Sequence, residues 1–314
     1  MNSNSTAPSL VPRVFRYDDV DRFRSAIRNL DVDFTPLARK ISAEQVILNL
    51  PGCDINYTRS FPRIVDGQFA PGTTVVGLTI DEGVPIRFNG AERDRAVIVL
   101  GQGGAFYTTL EKTPRRYASI VFTPEIVDRG WPDSAVKFSI HEISQLALDR
   151  LREVVRQALA VTSRPDEAAG NVTTGDAIRE SLLAAIDHAF AEIIPAKWTA
   201  RLNATRQFKV FNEARAVLAG NVAHPVYSGE LARQIGVSVR TLHDAIQRYR
   251  GMSLHRYLRL RRLWLVRQQL LAGAPSVKAC ALAYGFWHLS DFSRSYRSQF
   301  GESPSETLAA ARLS

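Results

Sequence analysis

The order of apolar and polar residues divides the chain into a strand-rich part and a helical part. Residues 14–30 carry apolar side chains at helical spacing and predict a short amphipathic helix. From about 33 to 123, short apolar or alternating runs are separated by Pro-Gly, Asp-Gly, Asn-Gly and Gly-Gly pairs. Strands of this length with such turns predict an antiparallel sandwich or barrel. Helical periodicity then predicts helices at roughly 139–162 and 174–194, followed by an entirely helical region from 205 onward.

One pattern occurs twice in this helical region, at 228–254 and 276–304. Each copy has a short helix with a small inward residue, then a glycine, an apolar residue and a second helix. A glycine at this point permits the positive φ needed to turn between two packed helices. The matching pairs are Ala232 and Ala281, Gly236 and Gly285, Val237 and Phe286, Leu242 and Phe292, and Ile246 and Tyr296. The repeat predicts two helix-turn-helix units, whose second helices can enter the major groove of DNA.

Between the two units, residues 253–272 predict one long helix that ends at Gly273. A helix of roughly 20 residues is about 30 Å long, at a rise of about 1.5 Å per residue. That length is close to the roughly 34–36 Å of one DNA turn, so both second helices are expected to enter successive major-groove segments on one face of the duplex.

Charge is distributed unevenly along the chain, whose net charge is +9. Residues 201–314 contain 17 Lys and Arg against 6 Asp and Glu, a net charge of +11, whereas residues 1–200 contain 23 against 25. A strongly basic segment favours a polyanionic partner, because neutralising phosphates releases condensed counterions. A merely basic, soluble surface is the alternative that charge alone leaves open.

With these motifs, the chain closely resembles the AraC/XylS family of transcription regulators over about 207–314. The resemblance rests on GVSVRTL, on RYLRLRRLWLVRQQLLAG and above all on GFWHLSDFSRSYRSQFGESPSE. It implies seven helices, bipartite binding to asymmetric DNA sites and σ-factor-dependent activation of nearby promoters. In similar members the N-terminal half is a small, often cupin-like β-barrel followed by helices that dimerise. The expected fold class is therefore α+β with two domains, an antiparallel β-barrel with helices and an all-α double helix-turn-helix domain.

The expected organisation is a disordered tail at 1–12, a sensor and dimerisation domain at 13–195, a linker at 196–206 and a DNA-binding domain at 207–314. The expected function is a cytoplasmic, sequence-specific transcription activator that responds to a small-molecule or protein signal. Its expected partners are promoter DNA, RNA polymerase, a second copy of the chain and a small-molecule effector. An effector would act by shifting the population toward one relation of barrel and DNA-binding domain.

The exposed faces of the two second helices supply the candidate base-reading residues. Arg240 and Arg294 are the strongest, since Arg to guanine is the commonest specific contact. Asp244 is expected either to accept a hydrogen bond from a cytosine amino group or to pair with Arg240, and Leu289 to meet a thymine methyl or nothing. The full base-reading set is Val239, Arg240, His243, Asp244, Leu289, Ser290, Ser293 and Arg294. Candidates for phosphate contact are Ser238, Arg248, Arg256, Lys278, Trp287 and Arg297, with solvated or packing roles as the alternative.

The N-terminal half offers a candidate ligand site but no catalytic motif. Its candidate lining residues are Tyr57, Phe61, Phe69, Arg87, Phe106 and Tyr107, with core packing as the alternative for each aromatic. Only His141 precedes residue 150 among the histidines, which argues against a cupin metal site, so no metal or other cofactor is expected. The helix at 139–162 either pairs with its mate from a second subunit or caps the barrel.

Other features of the sequence bound the compartment and the competing functions. Cys53 and Cys280 lie far apart and are expected to be reduced thiols. No run approaches 18 apolar residues, and the first residues lack a secretory signal, so no membrane partner is expected. The competing function classes are a metal-independent cupin-like enzyme and a nonspecific nucleoid-type architectural protein.

Overall fold

The computed structural model describes residues 10–83, 85–93, 96–124, 126, 129–132, 137–161, 172–194, 201–219 and 227–313. The chain divides into two compact units. The first consists of the described residues of Met1–Phe34, Ile41–Ile86 and Glu92–Lys197. The second consists of Thr35–Lys40, Arg87–Ala91 and the described residues of Trp198–Ser314.

Twelve strands in the described residues form two sheets, of seven and five strands. The larger sheet has the order β1-β3-β4-β11-β6-β9-β12 and the smaller one the order β2-β5-β10-β7-β8. The strands are β1 (Arg13–Tyr17), β2 (Leu30–Pro36), β3 (Ala43–Leu50), β4 (Cys53–Ser60), β5 (Arg63–Phe69), β6 (Thr74–Thr79), β7 (Ile86–Phe88), β8 (Ala91–Arg93), β9 (Val97–Gln102), β10 (Phe106–Glu111), β11 (Arg115–Phe122) and β12 (Phe138–Glu142).

Antiparallel pairing holds through the larger sheet, as the short alternating runs predict. The β4–β11 ladder sets Ile55 opposite Ile120, and the β11–β6 ladder sets Ile120 opposite Val76. Successive side chains of a strand point to opposite faces, so these residues fall on one face and form a core. The fully buried members of this core include Leu48, Ile55, Val76, Ile98, Ile120 and Phe122.

The chain start differs from the predicted helix at 14–30. Residues 13–17 form strand β1, which pairs antiparallel with β3. The helix α1 is confined to Val20–Ala26, because the Asp19 carboxylate accepts the Arg22 backbone N–H and caps it there. Of the predicted tail, residues 1–9 lie outside the described residues, and Leu10 is buried with 5% of its surface exposed.

Helices α2 (Gln145–Val161) and α3 (Val172–Ala191) pack against each other and share the core of the larger sheet. The helix expected from 139 begins only at Gln145, because Phe138–Glu142 is strand β12, paired with β9. The Ser144 hydroxyl accepts the Ala147 backbone N–H and so marks the start of α2. The helix expected at 174–194 corresponds to α3.

The second unit contains seven described helices from Arg201 onward. They are α4 (Arg201–Ala219), α5 (Ser228–Gln234), α6 (Val239–Arg250), α7 (Leu254–Leu271), α8 (Val277–Ala283), α9 (Leu289–Phe300) and α10 (Pro304–Leu313). The long helix α7 packs against α6, α8 and α10, so it belongs to both repeats. Of the expected linker at 196–206, the part from Arg201 is already helical in α4, and 196–200 lies outside the described residues.

Two further observations concern the described residues as a whole. No helix among them is both long and apolar enough to cross a membrane. No cluster of three or more His, Cys, Asp or Glu side chains within them is arranged to hold a metal ion.

Candidate nucleic-acid interface

The turn between the two helices begins with the same geometry in both repeats, although it is one residue longer in the second. Gly236 and Gly285 have φ values of 69° and 73°, in the left-handed region that favours glycine. The next residue folds back onto the first helix: the Phe286 N–H donates to the Ala281 carbonyl at 3.0 Å, and Val237 donates to Ala232 at 2.9 Å. A fully buried small residue therefore lets the second helix cross closely over the first, as the repeat predicts.

The second helices, α6 and α9, have equal lengths of 12 residues but different starts. The Ser238 hydroxyl accepts the Thr241 N–H at 3.1 Å and caps α6. His288 occupies the same position before α9 and makes no side-chain cap. Gly251 and Gly301 end the two helices in the left-handed conformation, with φ values of 68° and 81°.

Each second helix buries one face and exposes the other. Helix α6 buries Leu242, Ala245, Ile246 and Tyr249, whereas α9 buries Phe292, Tyr296 and Phe300. The predicted base-reading residues on the opposite faces are exposed, apart from Leu289, which is half-buried against the core of the second repeat. The exposed ones are Val239, Arg240, His243, Asp244, Ser290, Ser293 and Arg294.

The contacts of these exposed side chains are few. Arg294 has 80% of its side chain exposed and lies 3.5 Å from the Asp291 carboxylate. His243 Nε2 lies 3.2 Å from the Ser228 hydroxyl, at the start of α5. No ion pair joins Arg240 to Asp244 in the part of the chain that the structure describes. Both alternatives for Asp244 in a complex with DNA stay predictions.

Five of the six predicted phosphate contacts are exposed. They are Ser238, Arg256, Lys278, Trp287 and Arg297, with Trp287 67% exposed. The sixth, Arg248, is half-buried and donates from Nη1 to the Gln207 side chain of α4 at 2.7 Å. Arg248 is thus turned toward α4, and a phosphate would have to compete with Gln207 for it.

A polar network that sequence reasoning missed holds α9 in place. Arg267 of α7 donates to the Glu302 carboxylate at 2.6 Å, and Thr307 of α10 donates to the same oxygen at 2.7 Å. The buried Tyr296 hydroxyl of α9 donates to Thr307 at 2.9 Å. Burial acts to raise the pKa of Glu302, but the bonds from Thr307 and Arg267 keep this pKa below its ordinary value. The network joins three helices of the second repeat around one carboxylate.

The last residue of each second helix takes part in a cation–π contact. This residue supplies the cation in the first repeat and the aromatic ring in the second. Arg250 ends α6 and lies 4.6 Å from the Phe211 ring and 4.8 Å from the Tyr257 ring. Phe300 ends α9 and lies 4.7 Å from the Arg267 guanidinium. The sequence feature that could have indicated these contacts is that Arg250 and Phe300 occupy the same position of the repeat, 50 residues apart.

The six candidate ligand residues fall into separate places. Phe69 and Tyr107 stack at 5.2 Å, and burial raises the pKa of Tyr107. Phe61 packs instead against Phe23 and Phe34. Tyr57 in β4, Phe106 in β10 and Arg87 in β7 are half-buried, and Arg87 is grouped with the second unit.

Comparison with known proteins agrees with the geometry of the second unit. Residues 231–310 match the family described as Helix-turn-helix domain. The chain is 32% identical over 106 residues to the XylDLEGF operon transcriptional activator 3 of Pseudomonas putida, covering 33% of this chain and 32% of that protein. It is 29% identical over 162 residues to the HTH-type transcriptional activator RhaS of Klebsiella pneumoniae, covering 52% of this chain and 54% of RhaS.

A solved structure of a probable AraC family transcriptional regulator from Rhodopseudomonas palustris is 36% identical, with a TM-score of 0.31, and covers 33% of this chain and 97% of that one. The chain spans about a third of the length of the first curated relatives it matches. Its C-terminal part therefore contains a helix-turn-helix domain. The C-terminal part of this chain is thus similar to transcriptional activators that include the XylDLEGF operon activator and RhaS.

Proposed function

We propose that the chain is a sequence-specific transcription activator that places α6 and α9 in successive segments of the DNA major groove. The observation that carries the proposal is the repeat itself. Two helix-turn-helix repeats with the same glycine turn, each with an exposed polar helix face, share the single helix α7. Helix α7 has 18 residues, which corresponds to about 27 Å at about 1.5 Å per residue. A rigid spacer of this length suits two helices that enter one face of the duplex about one turn apart.

The exposed side chains divide by chemistry into two roles. Arg294 and Arg240 contact base edges, because a guanidinium can donate two hydrogen bonds to guanine. Lys278, Arg256 and Arg297 contact phosphates, which positions the domain without reading sequence. Asp244 accepts from a cytosine amino group in the first half of the site. This division is supported by the exposure of all six side chains.

The remaining parts of the proposal concern the whole protein. Residues 13–195 form a cupin-like barrel with helices that senses a small molecule and forms the homodimer, and residues 207–314 bind DNA. The named activators among the relatives support recruitment of RNA polymerase at a promoter. The antiparallel larger sheet, the smaller sheet and the pairing of α2 with α3 support a sensor built on the first unit. The protein is not an enzyme in this proposal and acts in the cytoplasm.

Selection of sites from a random DNA pool tests the proposal. The full chain should enrich a bipartite site, and a labelled fragment carrying that site should resist competition by random duplex. Lys278→Ala should weaken binding to both duplexes about equally and flatten the dependence of affinity on salt, because one phosphate contact is lost. Equal affinity for the selected and random duplexes would instead identify a nonspecific architectural protein.

A further inference from the structure

The first turn of α9 carries a carboxylate at the edge of the exposed helix face. Asp291 has 59% of its side chain exposed, and its carboxylate lies 3.5 Å from Nη1 of Arg294, one turn later on the same helix. It is the one acidic residue in the sequence of α9. The side chain proposed to meet guanine therefore has a negative charge beside it before any DNA is bound.

Contacts with α7 fix the backbone of this residue. The Asp291 carbonyl accepts the Ser295 hydroxyl at 2.6 Å and Nη2 of Arg259 at 3.5 Å. The half-buried Arg259 of α7 also donates to the Ser295 hydroxyl, so it ties the beginning of α9 to the helix that both repeats share. These contacts engage the backbone carbonyl of Asp291, and a change of its side chain leaves them in place.

A purely structural role for the carboxylate is the alternative. The N–H groups in the first turn of a helix favour a negative charge, and His288 gives α9 no side-chain cap. In the first repeat the same position is Thr241, and the Ser238 hydroxyl caps α6 there. The two roles have different consequences for DNA. A structural carboxylate would strengthen every complex of α9, whereas one that acts on Arg294 would change the balance between complexes.

An ion pair on this face affects phosphate contacts and base contacts differently. Attraction to a phosphate depends on net charge, and Arg294 paired with Asp291 is locally neutral. In a major groove about 12 Å wide, the carboxylate also lies within the roughly 8 Å Debye length of phosphates, which repel it. A base contact depends instead on geometry. A guanidinium has five N–H donors, so Nη1 can bond to the carboxylate while two other donors meet guanine.

We propose that Asp291 is a specificity-determining residue, whose carboxylate lowers the affinity of α9 for DNA that lacks the guanine read by Arg294. It discriminates by penalising the wrong sequence rather than by strengthening the right one. The inference rests on the proposed function, because it requires α9 to enter the major groove.

Binding of the full-length Asp291→Asn variant to the selected duplex and to random duplex, measured over a series of salt concentrations, tests the inference. Affinity for random duplex should rise by about two- to fivefold, as expected for the loss of an exposed ion pair. The slope of log affinity against log salt should steepen by up to about 0.9, because Arg294 then neutralises a phosphate. Affinity for the selected duplex should rise less, so the ratio of the two affinities should fall.

Two further variants separate this effect from net charge and from folding. Glu213→Gln is the matched control, because it removes the same charge from α4, where Glu213 lies 4.0 Å from Lys209. It should leave the ratio of affinities at the wild-type value. Asp291→Thr introduces the residue that the first repeat has at this position, and it should behave like Asp291→Asn. It serves as the test variant if Asp291→Asn does not fold.

Three results would overturn the inference. They are an unchanged ratio of affinities in the Asp291 variants, a loss of affinity for both duplexes as the structural role predicts, and an equal fall of the ratio in Glu213→Gln. The wild type distinguishes this failure from failure of the proposed function. Equal binding of the wild type to selected and random duplex refutes the proposed function, whereas retained wild-type selectivity with an unchanged ratio in Asp291→Asn refutes the inference alone.

Discussion

Replacing Arg294 with alanine separates base reading from general attraction to DNA. The side chain is 80% exposed, and the ion pair that it makes with Asp291 at 3.5 Å is on the surface. Surface pairs are worth about 0–1 kcal/mol, so the variant should fold with nearly wild-type stability. Loss of a bidentate base contact costs about 1–3 kcal/mol, which corresponds to a decrease in affinity of roughly 5- to 150-fold.

The matched control is Arg297→Ala, one turn later on the same helix, where 66% of the side chain is exposed and Glu306 lies 3.6 Å away. Affinities would be measured by gel shift for the selected site, for each single-base variant of one half-site and for random duplex. Arg294→Ala should lose discrimination at one or two adjacent base pairs, whereas Arg297→Ala should weaken all duplexes alike. The assignment of the α9 face fails if Arg294→Ala keeps the full preference or if both variants behave identically.

Three further predictions concern stability and reactivity. Ala281→Leu should lower the free energy of unfolding in urea by about 1–3 kcal/mol, because Ala281 is fully buried. Ala279→Leu, on the exposed side of the same helix, should change it by less than about 0.5 kcal/mol. Similar losses in both variants would contradict the packing of Ala281 in the core. The hydrogen bonds from Thr307 and Arg267 keep the pKa of Glu302 below the ordinary 4.5. Their contribution to stability is therefore complete at higher pH and is lost as the pH falls through the lowered pKa. The free energy of unfolding of Glu302→Gln should thus fall less than that of the wild type over this acid range, and parallel plots of unfolding free energy against pH would refute this. Burial raises the pKa of Cys53 to about 12. Iodoacetamide at mildly alkaline pH should therefore modify Cys53 only after the protein unfolds. Rapid labelling of Cys53 in the native protein would be inconsistent with its burial.

The second repeat shows why much of the DNA-binding unit follows from sequence. Its glycine turn, its helix-ending Gly301 and its buried Phe292 and Tyr296 are local signals, each separated by a few residues. Helical periodicity and turn chemistry act over this short range, so the order and approximate bounds of α8 and α9 could be predicted.

The side-chain contacts across the unit could not be predicted in the same way. Arg267 and Glu302 are 35 residues apart and meet only because α7 and the start of α10 pack together. Exposure of Arg294 follows from helix periodicity, whereas the turn of Arg248 toward Gln207 depends on the position of α4. Whether a cation faces solvent is therefore predictable on α9 but depends on tertiary packing on α6.

Strand β1 illustrates the same distinction in the first unit. The apolar residues of 14–30 have helical spacing, yet Arg13–Tyr17 is a strand because Ala43–Leu50 pairs with it. That partner lies about 30 residues later in the chain, and local propensity carries no information about it. The position of β11 between β4 and β6 likewise depends on pairing between segments that are far apart in the chain, where several similar strands could serve as partners.

Because α7 is shared by both repeats, its length fixes both the distance between α6 and α9 and the rotation of one relative to the other. Each residue inserted into or deleted from an α-helix shifts everything beyond it by about 1.5 Å and turns it by roughly 100°. In the proposed complex with DNA, a single insertion in α7 would therefore aim α9 at a different side of the duplex from α6, although the side chains proposed to meet bases remained the same. If the domain binds DNA as proposed, its base preference can change one substitution at a time, but the separation of the two half-sites is fixed by the length of α7.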